Sequence, residues 1–204
     1  MKTLQIILLL LISASANAQS AKPTCRMNDT TSCYSKNYWS VEVDPAPFIL
    51  GGYSFSLKYS SDRFKHLTFM GSVYRSEFPD NMMSNKNYEN GFRNLKINTS
   101  TALFADYFIK SNRTGFHFGP SVFYYCKSVG SNSTDEVANF KSVYPNIRAG
   151  YVFKPFKNNG FYINPWFNVG KEFVIGNNNS IDNTEFVPDK ISYIVAIHLG
   201  YQLF

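Results

Sequence analysis

The feature that most constrains this fold is a two-residue periodicity that recurs along most of the chain. In residues 49–59, for example, Tyr53, Phe55 and Leu57 alternate with Ser54, Ser56 and Lys58. The same alternation occurs in residues 64–75, 97–109, 116–127, 143–154, 161–172 and 193–203. Successive side chains of a β-strand point to opposite faces, so this pattern predicts strands with one apolar face and one mostly polar face.

An eighth strand is predicted at residues 38–43, where Trp39, Val41 and Val43 share a face. The predicted connections alternate in length: short ones at 60–62, 111–115 and 156–160, long ones at 77–94, 128–138 and 174–190. Bacterial membrane barrels have short turns at one end, longer loops at the other, and strands of about 9–11 residues. The predicted fold is therefore all-β: an antiparallel, up-and-down transmembrane β-barrel of about eight strands, over residues 38–204.

Three prolines interrupt predicted strands. Pro120, Pro145 and Pro165 each lie in the middle of an alternating stretch. Proline has no N–H to donate to a strand ladder. We therefore expect a bulge or a locally wide spacing at each of them.

The first residues have the three-part layout of a secretory signal peptide. Lys2 is followed by an apolar run at residues 4–12, broken by Gln5, and then by the small residues Ala16 and Ala18. The run is too short for a transmembrane helix, which needs about 20 apolar residues. We predict a signal peptide at residues 1–18, cleaved after Ala18, and a periplasmic segment at 19–37.

The amino-acid composition narrows the class of protein to which this chain could belong but does not decide it. Aromatic and charged residues each make up 17% of the chain, and the mean hydropathy is −0.22. With no second long apolar run, these values exclude a helical membrane protein, but they suit a membrane barrel or a secreted β-sandwich. The net charge of +6 suits lipid phosphates. No nucleic-acid-binding motif is present, so no nucleic-acid partner is expected.

The cysteines are Cys25, Cys33 and Cys126. Export permits a disulfide, and Cys25 and Cys33 are close enough in sequence to clip the N-terminal segment, although sequence does not establish the pairing. Cys126 would remain unpaired, on the outward face of its strand.

The inward face of the predicted barrel collects charged residues of both signs. Its members are Glu42, Lys58, His66, Asp106, His117, Arg148, Lys154, Glu172 and His198. An eight-stranded barrel is just wide enough to be filled by side chains, and buried charges must pair. The favoured interpretation is a polar plug, in which Lys58, Arg148 and Lys154 face Asp106 and Glu172.

Two chemical alternatives remain open for these residues. His66 or His198 could act with Ser54 and an acid on lipid esters, although no G-x-S-x-G motif is present. The histidine spacing does not suit a metal site, and we expect neither a metal nor another cofactor. The polar loop around Asn177, Asn178, Asn179 and Asp182 is more typical of a solvated turn.

Three motifs resemble those of small bacterial outer-membrane β-barrels of the eight-stranded, porin-like kind. They are Pro-Phe-Ile-Leu-Gly-Gly-Tyr-Ser at 47–54, Gly-Phe-Tyr-Ile-Asn-Pro-Trp at 160–166 and His-Leu-Gly-Tyr-Gln-Leu-Phe at 198–204. The resemblance implies the bacterial outer membrane as location and Phe204 as a terminal signal for the barrel-assembly machinery. It also implies contact with outer-membrane lipids, including lipopolysaccharide, and a monomer. Phe204 is out of step with Tyr201 and Leu203, which a slip at Gln202 would repair.

The resemblance leaves the activity open. The leading hypothesis is a non-enzymatic barrel with surface-exposed loops or limited small-molecule passage. The alternatives are an outer-leaflet lipid-modifying enzyme, a hydrolase or acyltransferase, and a secreted ligand-binding barrel of the lipocalin type.

Overall fold

The computed structural model describes residues 36–156, 159–176 and 178–203. The predicted signal peptide, its cleavage residues Ala16 and Ala18, the possible Cys25–Cys33 disulfide and Phe204 lie outside the described residues. No helix in these ranges is long and apolar enough to cross a membrane.

Eight strands form the wall of the molecule. They are β1 (Asn37–Val43), β2 (Tyr53–Ser61), β3 (Leu67–Glu77), β4 (Phe92–Phe108), β5 (Gly115–Ser131), β6 (Val137–Val152), β7 (Phe161–Gly170) and β11 (Ser192–Gln202). The connections contain the short strands β8 (Phe173–Ile175), β9 (Ser180–Ile181) and β10 (Thr184–Glu185), and two one-turn helices, α1 (Pro45–Ile49) and α2 (Asn85–Glu89). Single 3₁₀ turns occupy Asp62–Phe64 and Asp80–Met82.

The strands close into an antiparallel up-and-down barrel. Each wall strand pairs with its sequence neighbour, and β1 closes the ring by pairing with β11, so that Glu42 lies opposite both Ser56 and Gly200. The predicted eight-stranded, all-β barrel is confirmed, including its short first strand. We call the end where β1 begins and β11 ends the terminal end, and the opposite end the long-loop end.

The two faces of the wall follow the predicted alternation. On β4, the outward Leu103 is 66% exposed, whereas Phe104 and Ala102 on either side are buried. Ile97 is an exception, because it was expected to face outward with Leu103 and is buried instead. The β4–β5 register shifts between Arg93 and Lys96 and again between Ile97 and Thr99, and such irregularities reverse the phase of the side chains locally.

The strand prolines are accommodated without a register shift. Of the two outcomes expected from the sequence, a bulge is absent, and the ladder is instead interrupted locally. Pro120 stays paired with Ile147 on β6, and Pro165 stays paired with Ile197 on β11. On the other side of each proline the ladder skips two positions and resumes in the same register. Each proline thus interrupts the ladder only on the side where its missing N–H would be required.

The long-loop end differs most from expectation. Residues 128–138 were predicted to form a loop, but β5 and β6 continue as a paired hairpin as far as Gly130 opposite Val137. Around this hairpin the connections pack into a separate apolar cluster, which we call the cap. Its buried side chains are Met83, Phe92, Val129, Ala138, Phe140, Ile181 and Phe186.

Candidate functional site

The part of the lumen nearer the terminal end contains a fully buried ion pair. Arg148 on β6 donates from Nε to Asp106 Oδ1 at 2.8 Å and from Nη2 to Asp106 Oδ2 at 2.5 Å, and both side chains are 0% exposed. The pair reaches over β5 at Gly119, which lies opposite Arg148 and has no side chain to block it. The guanidinium also lies 4.3 Å from the ring centre of Phe104 and 5.3 Å from that of Trp166. A bidentate, aromatic-covered arginine is held in one orientation.

A second charged centre lies on the opposite side of the lumen, around Glu42. Its carboxylate forms an ion pair with Lys58 Nζ and lies 2.8 Å from His198 Nδ1. Tyr162 donates its hydroxyl to Glu42 Oε1 at 2.8 Å, and Asn164 Nδ2 approaches Oε2 at 3.4 Å. Four side chains therefore satisfy this one buried carboxylate, as a charge removed from water requires.

His117 joins the two centres. Its Nε2 lies 2.9 Å from Asn164 Oδ1, and its Nδ1 lies 3.6 Å from Asp106 Oδ1. Gly150 leaves the space for the imidazole, because a Cβ at that position would lie 2.5 Å from His117 Nε2. The two centres and His117 form one connected polar layer, which we call the plug. Its residues are Glu42, Lys58, Asp106, His117, Arg148, Tyr162, Asn164 and His198.

Three of the predicted lumen residues lie outside the plug. Glu172 follows β7 at the long-loop end, where it accepts hydrogen bonds at 2.5 Å from Lys127 Nζ and from Ser142 Oγ. It therefore pairs with Lys127, not with Lys58, Arg148 or Lys154. Lys154 follows β6, is exposed, and contacts Gln202 Oε1 at 3.3 Å.

His66 lies at the terminal end, in the turn before β3. It is half-buried, its Nδ1 is 2.7 Å from the backbone oxygen of Phe108, and its ring stacks on the outward-facing Tyr107. Ser54 is the second residue of β2, which starts at the long-loop end, so His66 and Ser54 lie at opposite ends of the barrel. His198 has its acid, Glu42, but Ser54 Oγ accepts the backbone N–H of Asp44 at 3.3 Å.

Between the plug and the cap lies a cavity of about 810 Å³. Phe104, Phe123 and Trp166 line it on the plug side, and Lys127 and Glu172 line it nearer the cap. No group of three or more His, Cys, Asp or Glu side chains that could hold a metal ion occurs among the described residues. The cavity wall combines aromatic and aliphatic side chains with the Lys127–Glu172 ion pair, two further carboxylates, Asp44 and Asp189, and several hydroxyl and amide side chains.

Sequence reasoning missed several members of this arrangement. Lys127, Tyr162 and Asn164 lie on the predicted inward face, but nothing in the sequence shows which of them meets a charge. The sequence feature that could have indicated these contacts is glycine. Gly119 and Gly150 occupy inward positions where neighbouring strands supply large polar side chains. An inward glycine between long polar side chains indicates a contact that crosses over its strand.

Comparison with known proteins gives a likeness in structure only. No protein-family model matches the chain, and no curated protein matches it. Among solved structures, it is similar to the N-terminal β-barrel domain of OprF from Pseudomonas aeruginosa, with a TM-score of 0.48 and 13% identity, covering 83% of this chain and 99% of that one. It is also similar to Ail, the attachment invasion locus protein of Yersinia pestis, with a TM-score of 0.41 and 12% identity, covering 81% of this chain and 96% of that one.

Proposed function

We propose that this protein is a closed barrel of the bacterial outer membrane that acts through its long-loop end and does not conduct. Its membrane placement is supported by an apolar exterior around a charged interior. Outward residues such as Leu103, Phe118 and Phe167 are exposed, whereas Asp106 and Arg148 are fully buried. Contact of such an exterior with lipid is favourable, whereas its exposure to water would cost free energy.

The observation that carries the closed lumen is the Asp106–Arg148 ion pair. It lies on the inner side of the wall, where it joins β4 to β6, is covered by Phe104 and Trp166, and is connected through His117 to the Glu42 centre. Opening a pore would separate or rehydrate these charges, and an aqueous channel normally requires about 16 strands or more. A closed lumen favours a non-enzymatic role at the outer face over small-molecule passage.

The cap supports a role in surface contact. Phe186 packs against Phe92 and Phe140, with ring centres 5.5 Å and 5.2 Å apart, so the connections form a folded surface with a core of its own. Exposed Lys141 and Lys171 lie near this end of the wall and would meet the phosphates of outer-membrane lipids, including lipopolysaccharide. The protein acts as a monomer in this proposal.

The same exterior weighs against a secreted lipocalin-like barrel, whose outward face would have to be polar. The lipid-modifying alternative retains one favourable observation, the 2.8 Å contact between His198 and Glu42. The nucleophile it requires is not in place, because no hydrogen bond joins Ser54 to His198 among the described residues, and Ser54 Oγ instead accepts the N–H of Asp44.

Cysteine labelling in whole cells tests location and orientation together. In a chain with Cys25, Cys33 and Cys126 replaced by serine, Asn139→Cys would place one thiol on the exposed edge of the hairpin at the long-loop end. Ser111→Cys is the matched control, exposed in the turn between β4 and β5 at the terminal end. A membrane-impermeant maleimide should label Asn139→Cys in intact cells, and Ser111→Cys only after lysis. Labelling of Ser111→Cys in intact cells would contradict the proposed orientation.

A further inference from the structure

The barrel wall has a break at its long-loop end, between β11 and β2. The pairing of β1 with β11 ends at Val43 opposite Leu199, whereas β11 begins at Ser192. The outer part of β11 is therefore paired with β7 on one side only.

The sequence explains why β1 stops where it does. Asp44 is followed by Pro45 and Pro47, which cannot donate to a ladder, and the chain turns into α1, which is capped by a 3.0 Å hydrogen bond from Ala46 N to Asp44 Oδ1. A single helical turn thus occupies the place where strand would otherwise close the wall.

The cavity between the plug and the cap extends to this break. Ala46, Pro47 and Leu50 line it on the α1 side, and Tyr193 and Val195 line it on the β11 side. Tyr193 and Val195 also face outward, at 78% and 74% exposed. Residues that line an interior cavity and the exterior of the same wall mark a place where the two communicate. Unpaired strand backbone is tolerated at membrane depth only where it borders a cavity or protein.

The exterior around the break is apolar. Ile49 of α1 is 84% exposed, and Phe48 and Ile191, the residue immediately before β11, are also exposed. Whatever enters from this side must therefore first be dissolved in the membrane, because the approach offers no polar path from water.

The cavity lining defines the chemistry of its occupant. Its base is aromatic, formed by Phe104, Phe123 and Trp166, and Met82 and Met83 at the opposite end can adapt to a flexible chain. The positive charge of Lys127 is neutralised by Glu172, which leaves Asp44 and Asp189 as a negative surplus in the lining. This charge distribution disfavours an anionic head group.

We propose that this cavity binds the alkyl chain of an amphiphile with a cationic head, which enters sideways from the membrane between β11 and α1. The volume of about 810 Å³ is in the range of small-molecule sites. The plug forms the floor, so binding does not require a through-passage. The proposal rests on the membrane location proposed above.

Tryptophan fluorescence tests this directly, because the chain has two tryptophans and one lines the cavity. Trp39→Phe leaves Trp166 as the reporter. The probe is an alkyltrimethylammonium with a doxyl quencher near the end of its chain, added to the protein in phosphatidylcholine vesicles. We expect saturable quenching of more than half of the Trp166 emission. A doxyl-labelled fatty acid of equal length should require a severalfold higher membrane concentration.

Two variants separate binding in the cavity from quenching through the wall. Ala196→Phe fills the cavity from β11, whereas Ala105→Phe adds the same ring on the outward face of β4. Quenching should fall severalfold in Ala196→Phe and stay unchanged in Ala105→Phe. Equal quenching in both variants, or quenching that rises linearly without saturation, would overturn the proposal. Heat-modifiable gel mobility of each sample shows independently whether the barrel is inserted, so a failure of binding is distinguishable from a failure of membrane placement.

Discussion

The two halves of the lumen are built by the same strands but filled in opposite ways. Toward the terminal end, paired charges and amides fill the space, and the side chains of the plug are almost completely buried. Toward the long-loop end, aromatic side chains line a cavity and apolar side chains hold the cap together. The halves differ because β1 ends at Val43, so one half is enclosed by a complete ring of strands and the other is closed partly by α1.

The comparison indicates that the plug provides rigidity and that the half of the lumen toward the long-loop end is the part available for binding. A buried network tolerates few rearrangements, since every charge released must find a new partner. A cavity lined largely by aromatic and methionine side chains tolerates many more rearrangements. The following predictions test this division, beginning with the largest expected effect.

Asp106→Ala should be the most damaging single change, because it leaves Arg148 buried without its carboxylate. Removing one partner of a buried pair destabilises by about 3–5 kcal/mol. Urea unfolding of the protein refolded in lipid vesicles measures the loss. Asp62→Ala is the control, since its pairing with Arg113 is partly exposed and worth about 0–1 kcal/mol. The double change of Asp106 and Arg148 to leucine should recover most of the stability. Equal effects of Asp106→Ala and Asp62→Ala would contradict a rigid plug.

Leu103→Arg should cause the second-largest loss of stability. Arginine facing lipid near the midplane destabilises a barrel by about 2–4 kcal/mol. Leu103 lies on the outward face of β4, whereas the control Asn139→Arg lies on the exposed hairpin in the cap. The readout is the folded fraction on heat-modifiable gels. If Asn139→Arg impairs assembly as much as Leu103→Arg, the outward face is not the lipid-facing one.

Val129→Ala should loosen the cap by about 2 kcal/mol without unfolding the barrel, because it removes two fully buried methyl groups. Val137→Ala on the same hairpin removes the same groups from an exposed position and should have almost no effect. The measurement is the rate of protease cleavage in the connection between β7 and β11. A loss of global stability equal to the loss in the cap would show that the two halves unfold together.

The sequence predicted the wall well because strand alternation is a local property. Inward Ser54, Ser56 and Lys58 and outward Phe55 and Leu57 follow from parity alone. Parity fails at Ile97, because the register shifts that turn it inward depend on β5 and leave no local trace.

Charge pairing was less predictable than facing. Arg148 reaches Asp106 across an intervening strand, and Glu172 meets Lys127 only because β7 ends at Gly170. Both contacts depend on the register between strands and on where each strand ends. The cap was missed for a similar reason, since Phe92 and Phe186 are brought together by loops whose paths the alternating pattern does not describe.

Conductance of the unmodified protein in planar lipid bilayers tests the closed lumen most directly. The ion pairs of Arg148 with Asp106 and of Lys58 with Glu42 should prevent ion flow, so we expect no steady current at any salt concentration, with at most rare and brief events. A large, steady current that increases in proportion to salt concentration would contradict the account. It would mean that the plug opens in the membrane and that the barrel is a pore.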